Sequence, residues 1–371
     1  MSKSWRTTSL EVNSRVFNSV HRFLPNRYLV MDIRKYIFLF FILCVGMSCQ
    51  RVAETAAPTE GFNIKISNDT TYITVYSPWK TGQVLAQHSI TRPLERVVCT
   101  SATHIGFMKE LGLMDKVVGV CRPDRIYNLT DEQRRRITDI GDDIHLNMEA
   151  ILLAKPDAVI ISTYADGDPI PQQIKNLGIP VFYCNEWTEA TPLARAEWIR
   201  FFGACFGCLD RADSIYNAVS ERYKSIATDT KSNIHIMSGM SFRGTWYVPS
   251  GGTYMGVLFL DAGAQYHYAN NLSKSSLPLT FEQAVQDFAE ADVWVGCDAH
   301  SLDELKSIES KHTWFKAYQN KRVYNFHRRT LPSGANDFWE TGVVHPELIL
   351  QDLRHILNGD TTDLYFASPL N

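Results

Sequence analysis

No lysine- or arginine-rich face stands out in this 371-residue chain, whose 37 basic and 40 acidic residues leave a net charge of −3. That excludes nucleic acid as a partner, because phosphate contacts demand clustered cations. Long apolar runs are scarce as well. The run Ile37–Met47 has eleven residues, short of the roughly 20 that a membrane-spanning helix needs. Cysteine follows no disulfide framework. Cys44 and Cys49 lie near the start, and Cys99, Cys121, Cys184, Cys205, Cys208 and Cys297 are irregularly spaced. The lone CxxC of Cys205 and Cys208 sits in an aromatic run, WIRFFGACFGC, without the second pair that zinc would want. Free, buried thiols are expected there. The patterns GxSxG, HExxH, GxGxxG and the P-loop are missing. His104, His145, His267 and His327 are dispersed, with no HxxxH pair. Neither an enzyme nor a resident metal is expected from these absences, although His104 or His267 as an axial haem ligand stays open.

What the chain does have is a stiff central element. In DRADSIYNAVSERYKSIA, residues 210–227, Ala212, Ile215, Tyr216, Val219, Tyr223 and Ile226 recur at helical spacing. Asp210 is placed to cap its start. Such a helix spans about 27 Å at 1.5 Å per residue. On either side, strand and helix patterns alternate, which predicts an α/β fold of two lobes. Each lobe is expected to hold a mainly parallel sheet flanked by helices, with one long helix between them. The length also favours two domains. A duplicated piece supports this: NMEAILLAKPDAVIIS (147–162) and TFEQAVQDFAEADVWVG (280–296) each put a glutamate in the first turn of an apolar helix, then an aspartate and a strand.

Ahead of the lobes, Met31 opens MDIRKYIFLFFILCVGMSCQ, with Arg34 and Lys35 before the apolar run and small residues leading to Cys49. This reads as a secretory signal. It resembles a bacterial lipobox, which implies lipidation at Cys49. The expected division is 1–30 as an upstream extension outside the translated protein and 31–49 as the lipoprotein signal. Residues 50–92 are read as a tether and a β-hairpin around Asn68-Asp69. The first lobe is 93–207, the linking helix 208–230 and the second lobe 231–371.

Taken in order, PLERVVCTSATHIGFMKELGLMDKVVGV, NMEAILLAKPDAVI, the helix from Asp210, GGTYMGVLFLDAGA, FEQAVQDFAEADVWV and WFKAYQNKRVYNF resemble a family. It is the periplasmic substrate-binding lipoproteins of bacterial ABC importers for iron–siderophores, haem and cobalamin, and the resemblance covers roughly 93–358. It implies a ligand held between the lobes, a permease and its ATPase as partners, a lipid anchor in the periplasm and a monomeric protein without catalytic activity. It implies no cofactor other than the transported iron chelate, haem or cobalamin. The family docks through one carboxylate per lobe, and the matching positions are Glu149 and Glu282. A glutamate in a first helical turn is also favoured by the helix dipole alone. Ligand contacts fall on loops after the strands. There the expected residues are Ser101, His104, Arg122, Tyr127, Tyr164, Trp187, Arg243, Trp246, Tyr254, Tyr268, Asp337 and Trp339. Their aromatic walls and arginines suit a large ring-like or anionic chelate. Two other readings remain open: a surface lipoprotein that scavenges haem or a vitamin without a permease, and an enzyme acting in the cleft.

Overall fold

The computed structural model describes residues 59–371. The extension, the signal with Cys49, and the start of the tether lie outside the described residues. Strands β1 (Phe62–Ser67) and β2 (Thr70–Tyr76) form the hairpin, turning through Asn68 and Asp69 at φ 48° and 60°. These two residue types tolerate the left-handed region. A third strand, β3 (Val84–Ile90), pairs with β2 in a stretch for which the sequence pattern named no strand. This sheet packs onto the first lobe, with the Phe62 ring 4.9 Å from that of Trp198.

The first lobe runs β4 (Val97–Cys99), α1 (Ala102–Glu110), β5 (Val117–Val120), α2 (Asp131–Arg136), β6 (Thr138–Asp139), α3 (Met148–Ala154), β7 (Ala158–Ile161), α4 (Ile170–Asn176) and β8 (Val181–Tyr183). Its five strands are all parallel, in the order β6-β5-β4-β7-β8. Near-continuous apolar strands such as Ala158–Ile161, buried at every residue, are what a sheet covered on both faces requires. Residues 102–104 form the first turn of α1, with Ser101 as its cap.

Helices α5 (Pro192–Ala196) and α6 (Ile199–Cys205) lead into the linking helix α7 (Leu209–Ile226). Its cap is Cys208, and Asp210 falls in the first turn instead, where its charge still complements the helix dipole. Ala212 lies in the core of the first lobe, while Val219 and Tyr223 lie in that of the second. The helix therefore hands its buried stripe from one core to the other part-way along.

The second lobe comprises β9 (His235–Ser238), β10 (Ser241–Phe242), β11 (Thr245–Pro249), α8 (Tyr254–Asp261), β12 (Gln265–Tyr266), β13 (Ser276–Leu279), α9 (Phe281–Phe288), β14 (Val293–Val295), α10 (Leu302–Ile308), α11 (Lys316–Gln319), β15 (Val323–Asn325), α12 (Thr341–Val344), α13 (Pro346–Asn358) and β16 (Ser368–Pro369). Its main sheet is ordered β12-β9-β14-β15-β16, parallel apart from β16. Strands β10, β11 and β13 make a small antiparallel sheet. The two main sheets correspond. β7 lies beside the first strand of its sheet, as β14 does beside β9, and each directly follows the glutamate-bearing helix.

The linking helix is not the sole bridge. Residues 337–347 return to the first lobe, and Val343 and Val344 join its core. A Cβ on Gly106 of α1 would sit 2.1 Å from the Glu340 carbonyl oxygen, so only glycine permits this approach.

Candidate functional site

In this architecture ligands gather outside the carboxyl ends of parallel strands. On the first sheet that edge carries Tyr164 after β7 and Trp187 after β8. They are 47% and 39% exposed, and their rings stand 5.6 Å apart. Trp187 is steadied by its indole N–H, which donates to the Thr163 carbonyl at 3.2 Å. Arg122 follows β5 in a left-handed backbone (φ 48°), with its guanidinium exposed and paired to Asp124 at 3.2 Å. Ser101, after β4, accepts the Thr103 N–H at 3.3 Å as the cap of α1. These are an apolar wall and a cation on one rim.

On the second lobe Arg243 is exposed in a left-handed turn (φ 53°), its guanidinium 5.1 Å from the ring centre of Phe242. Phe242, which the sequence reading did not single out, is strongly exposed, and so is Trp339. Asp298 and His300 follow β14, and His327 follows β15. The two imidazoles are 4.8 Å apart, and His327 Nε2 lies 3.2 Å from Asp298 Oδ1. Strand position alone could have flagged these three, since all lie just past a carboxyl end.

Five of the expected contacts are placed elsewhere by their packing. Trp246 is 0% exposed and donates its indole N–H to the Ser238 carbonyl at 3.0 Å, within a cluster of Phe281, Trp294, His312 and Phe315. Tyr268 follows edge strand β12 and donates its hydroxyl to Asp287 of α9. His104 is fully buried inside α1, so it does not reach a ligand outside the lobe. Tyr254 is partly buried and donates its hydroxyl to the Gly342 carbonyl at 3.3 Å. Asp337 is wholly buried, accepting from Asn128 Nδ2 (2.7 Å), Thr341 Oγ1 (2.6 Å) and Arg329 Nε (2.6 Å). Tyr127 belongs to the same region: its backbone N–H and that of Asn128 donate to the Glu340 carboxylate, and the Arg329 guanidinium lies 5.4 Å from its ring. Asp337, Glu340, Tyr254 and Tyr127 thus form a seam between the lobes, to which the side-chain polar groups of the first three and the backbone N–H of Tyr127 are committed.

His345 closes the seam, with Nε2 3.3 Å from Glu110 of the first lobe and Nδ1 2.9 Å from Glu347. Burial opposes its charge, but the hydrogen bonds and charges of Glu110 and Glu347 outweigh burial and bring it up to about 9. The folded state therefore holds this proton more tightly than an unfolded histidine near 6.5. The resulting stability, about 3 kcal/mol, is complete below pH ~6.5 and lost as pH rises through 9. Glu340, pushed up to about 7 by burial, acts with the same sign over a lower range. Glu110 is held low, chiefly by the His345 hydrogen bond, so its contribution disappears instead in acid. The melting temperature should fall between pH 6 and 9.5 in scanning fluorimetry, and less steeply in His345→Gln; parallel slopes would contradict the assignment.

Glu149 and Glu282 are placed alike. Each is the second residue of its helix, behind a capping side chain: Asn147 accepts the Ala150 N–H at 3.0 Å, and Thr280 the Gln283 N–H at 3.1 Å. Both are exposed, and neither forms an ion pair among the described residues.

With this geometry in hand, residues 97–330 match the family model described as periplasmic binding protein, and the chain belongs to that family. An uncharacterised lipoprotein of Methanocaldococcus jannaschii is 24% identical over 283 residues, which is 72% of this chain and 66% of that protein. The chain thus spans about two thirds of that relative's length. Among solved structures, a periplasmic haem-binding protein from Roseiflexus sp. RS-1 superposes with a TM-score of 0.57 at 20% identity, over 71% of this chain and 98% of that one. The petrobactin-binding protein of Bacillus subtilis gives 0.58 at 14% identity over 77% and 98%. The periplasmic vitamin B12 binding protein of Vibrio cholerae gives 0.52 at 16% over 73% and 99%. These likenesses are of fold.

Proposed function

We propose that the protein is the substrate-binding component of an ABC importer. It captures a metal chelate (a ferric siderophore, haem or cobalamin) between its lobes and delivers it to a permease driven by an ATPase. A lipid at Cys49 holds it to a membrane in the periplasm. One observation carries the reading: exposed carboxylates without an ion pair among the described residues, at equivalent places in two corresponding lobes, Glu149 and Glu282. Two fixed anions on separate lobes set the orientation of a docked partner and speed encounter more than they add affinity. The cargo class rests on the rims. Tyr164, Trp187, Phe242 and Trp339 offer flat apolar faces, and Arg122 and Arg243 offer cations that pair with carboxylate or catecholate oxygens.

Titrating the purified protein with haem, cobalamin and a ferric catecholate siderophore, read by tryptophan quenching, tests the cargo. One of the three should bind saturably. In Tyr164→Ala with Trp187→Ala its Kd should rise about 10- to 100-fold, the loss of two ring contacts. The double variant should melt within a few degrees of wild type, since both residues lie at the surface, outside the buried core. An unchanged Kd removes this wall from the site.

A further inference from the structure

Beneath the Tyr164–Trp187 wall, three side chains with metal-binding chemistry meet. His104 and Cys184 are 0% exposed and Glu186 is 1% exposed. Their ligand atoms all lie within 4.8 Å of one another. They come from α1, from the residue after β8 and from the turn that follows it. Unpartnered polar atoms collect at the same place. His104 Nδ1, Asn185 Nδ2 and Arg195 Nε are buried and have no hydrogen-bond partner among the described residues.

The surrounding bonds leave donor atoms free. Ser162 Oγ donates to the Cys184 carbonyl at 3.0 Å, so it accepts from His104 Nε2–H at 3.1 Å. That tautomer leaves the lone pair on Nδ1, the nitrogen without another partner. Glu186 is divided too: Oε1 takes Nη2 of Arg195 at 3.3 Å, while Oε2 lies 3.7 Å from Cys184 Sγ.

The geometry points to a binding site for a divalent cation of the zinc class, held by His104, Cys184 and Glu186 and separate from the transported cargo. Imidazole, thiolate and carboxylate together suit zinc, whereas calcium and magnesium take oxygen-only sets. Tetrahedral coordination at 2.0–2.3 Å puts donors about 3.5 Å apart, so the three groups close by about an ångström. Ser162 serves as the outer group that orients the imidazole. Burial keeps the Cys184 thiol protonated, so binding sends that proton to solvent. The ion would tie α1 to the loop that carries Trp187, next to Glu186, and the Ser162–His104 hydrogen bond would pass the restraint to the loop that carries Tyr164, two residues from Ser162. Metal would then stiffen the rim that meets the cargo without touching the cargo itself.

Cobalt(II) titration of the chelator-treated full chain, without cargo, decides the matter. A thiolate-to-cobalt charge-transfer band should saturate at about one equivalent and be displaced by zinc. Cys184→Ser and His104→Gln should lose the band. Cys99→Ser, which removes a buried thiol outside the cluster, should keep it. If Cys184→Ser fails to fold by circular dichroism, the wild-type titration and His104→Gln still decide. A folded wild-type protein with no such band, or with cobalt bound only through oxygen, overturns the site, as does a band that survives in Cys184→Ser.

Discussion

Reversing the charge at Glu149 and Glu282 together should abolish cargo uptake by whole cells while leaving the Kd of the purified protein unchanged. Both side chains project from the second position of a capped helix into solvent, and neither belongs to the aromatic rims named above. A docking role that leaves cargo binding to the rims predicts an unchanged Kd. Lysine at either position costs helix-dipole stabilisation of about 0.3–1 kcal/mol, too little to unfold a domain of this size. Each single reversal should leave partial uptake, because one anchor still steers the encounter while orientation loosens. Uptake that survives the double reversal sinks the docking role. An equal loss of Kd and uptake would place the two glutamates in the ligand site instead.

Asp337→Ala should cost about 3 kcal/mol of stability, read as a lower urea midpoint. Burial pushes the Asp337 carboxyl upward, but hydrogen bonds from Thr341, Arg329 and Asn128 prevail and hold it below the usual carboxylate range. Removing it leaves three donors without their acceptor, and the Arg329 charge without its partner. The figure is at the lower end for a broken buried pair because Arg329 is about one-third exposed. Trp339→Ala, two residues away on the exposed side, should change the midpoint little. A loss below about 1 kcal/mol for Asp337→Ala would mean that the seam is held by packing rather than by this carboxylate.

Much of the architecture was legible because it rests on periodicity. The 3.6-residue stripe from Ala212 to Ile226 specified the linking helix, and the paired segments around Glu149 and Glu282 specified equivalent lobes. The site was less legible, for a reason seen at Trp246. In TWYVP the two-residue alternation of β11 puts Trp246 in phase with buried Val248, and Tyr247 faces solvent. Treating the segment as a loop hid that phase. Tyr164, Trp187, Arg122, Arg243 and Trp339 lie past strand or turn ends, where side chains reach solvent, and their exposure keeps them available for the proposed cargo. Asp337 and Tyr254 could not have been assigned from local pattern. Their partners, Asn128 and Gly342, are remote in sequence, and only the tertiary fold brings them together. The cluster of His104, Cys184 and Glu186 was hidden in the same way.

The return of residues 337–347 across the lobes has a consequence for how this polypeptide is made. The first lobe's interior lacks Val343 and Val344 until the parallel strands of the second lobe's main sheet have been synthesised. A nascent chain ending before them has the strands of that lobe without the side chains that close it against α1. The amino-terminal lobe therefore completes its packing only once Val343 and Val344 have emerged, although its sheet and the rest of its core precede them in the chain.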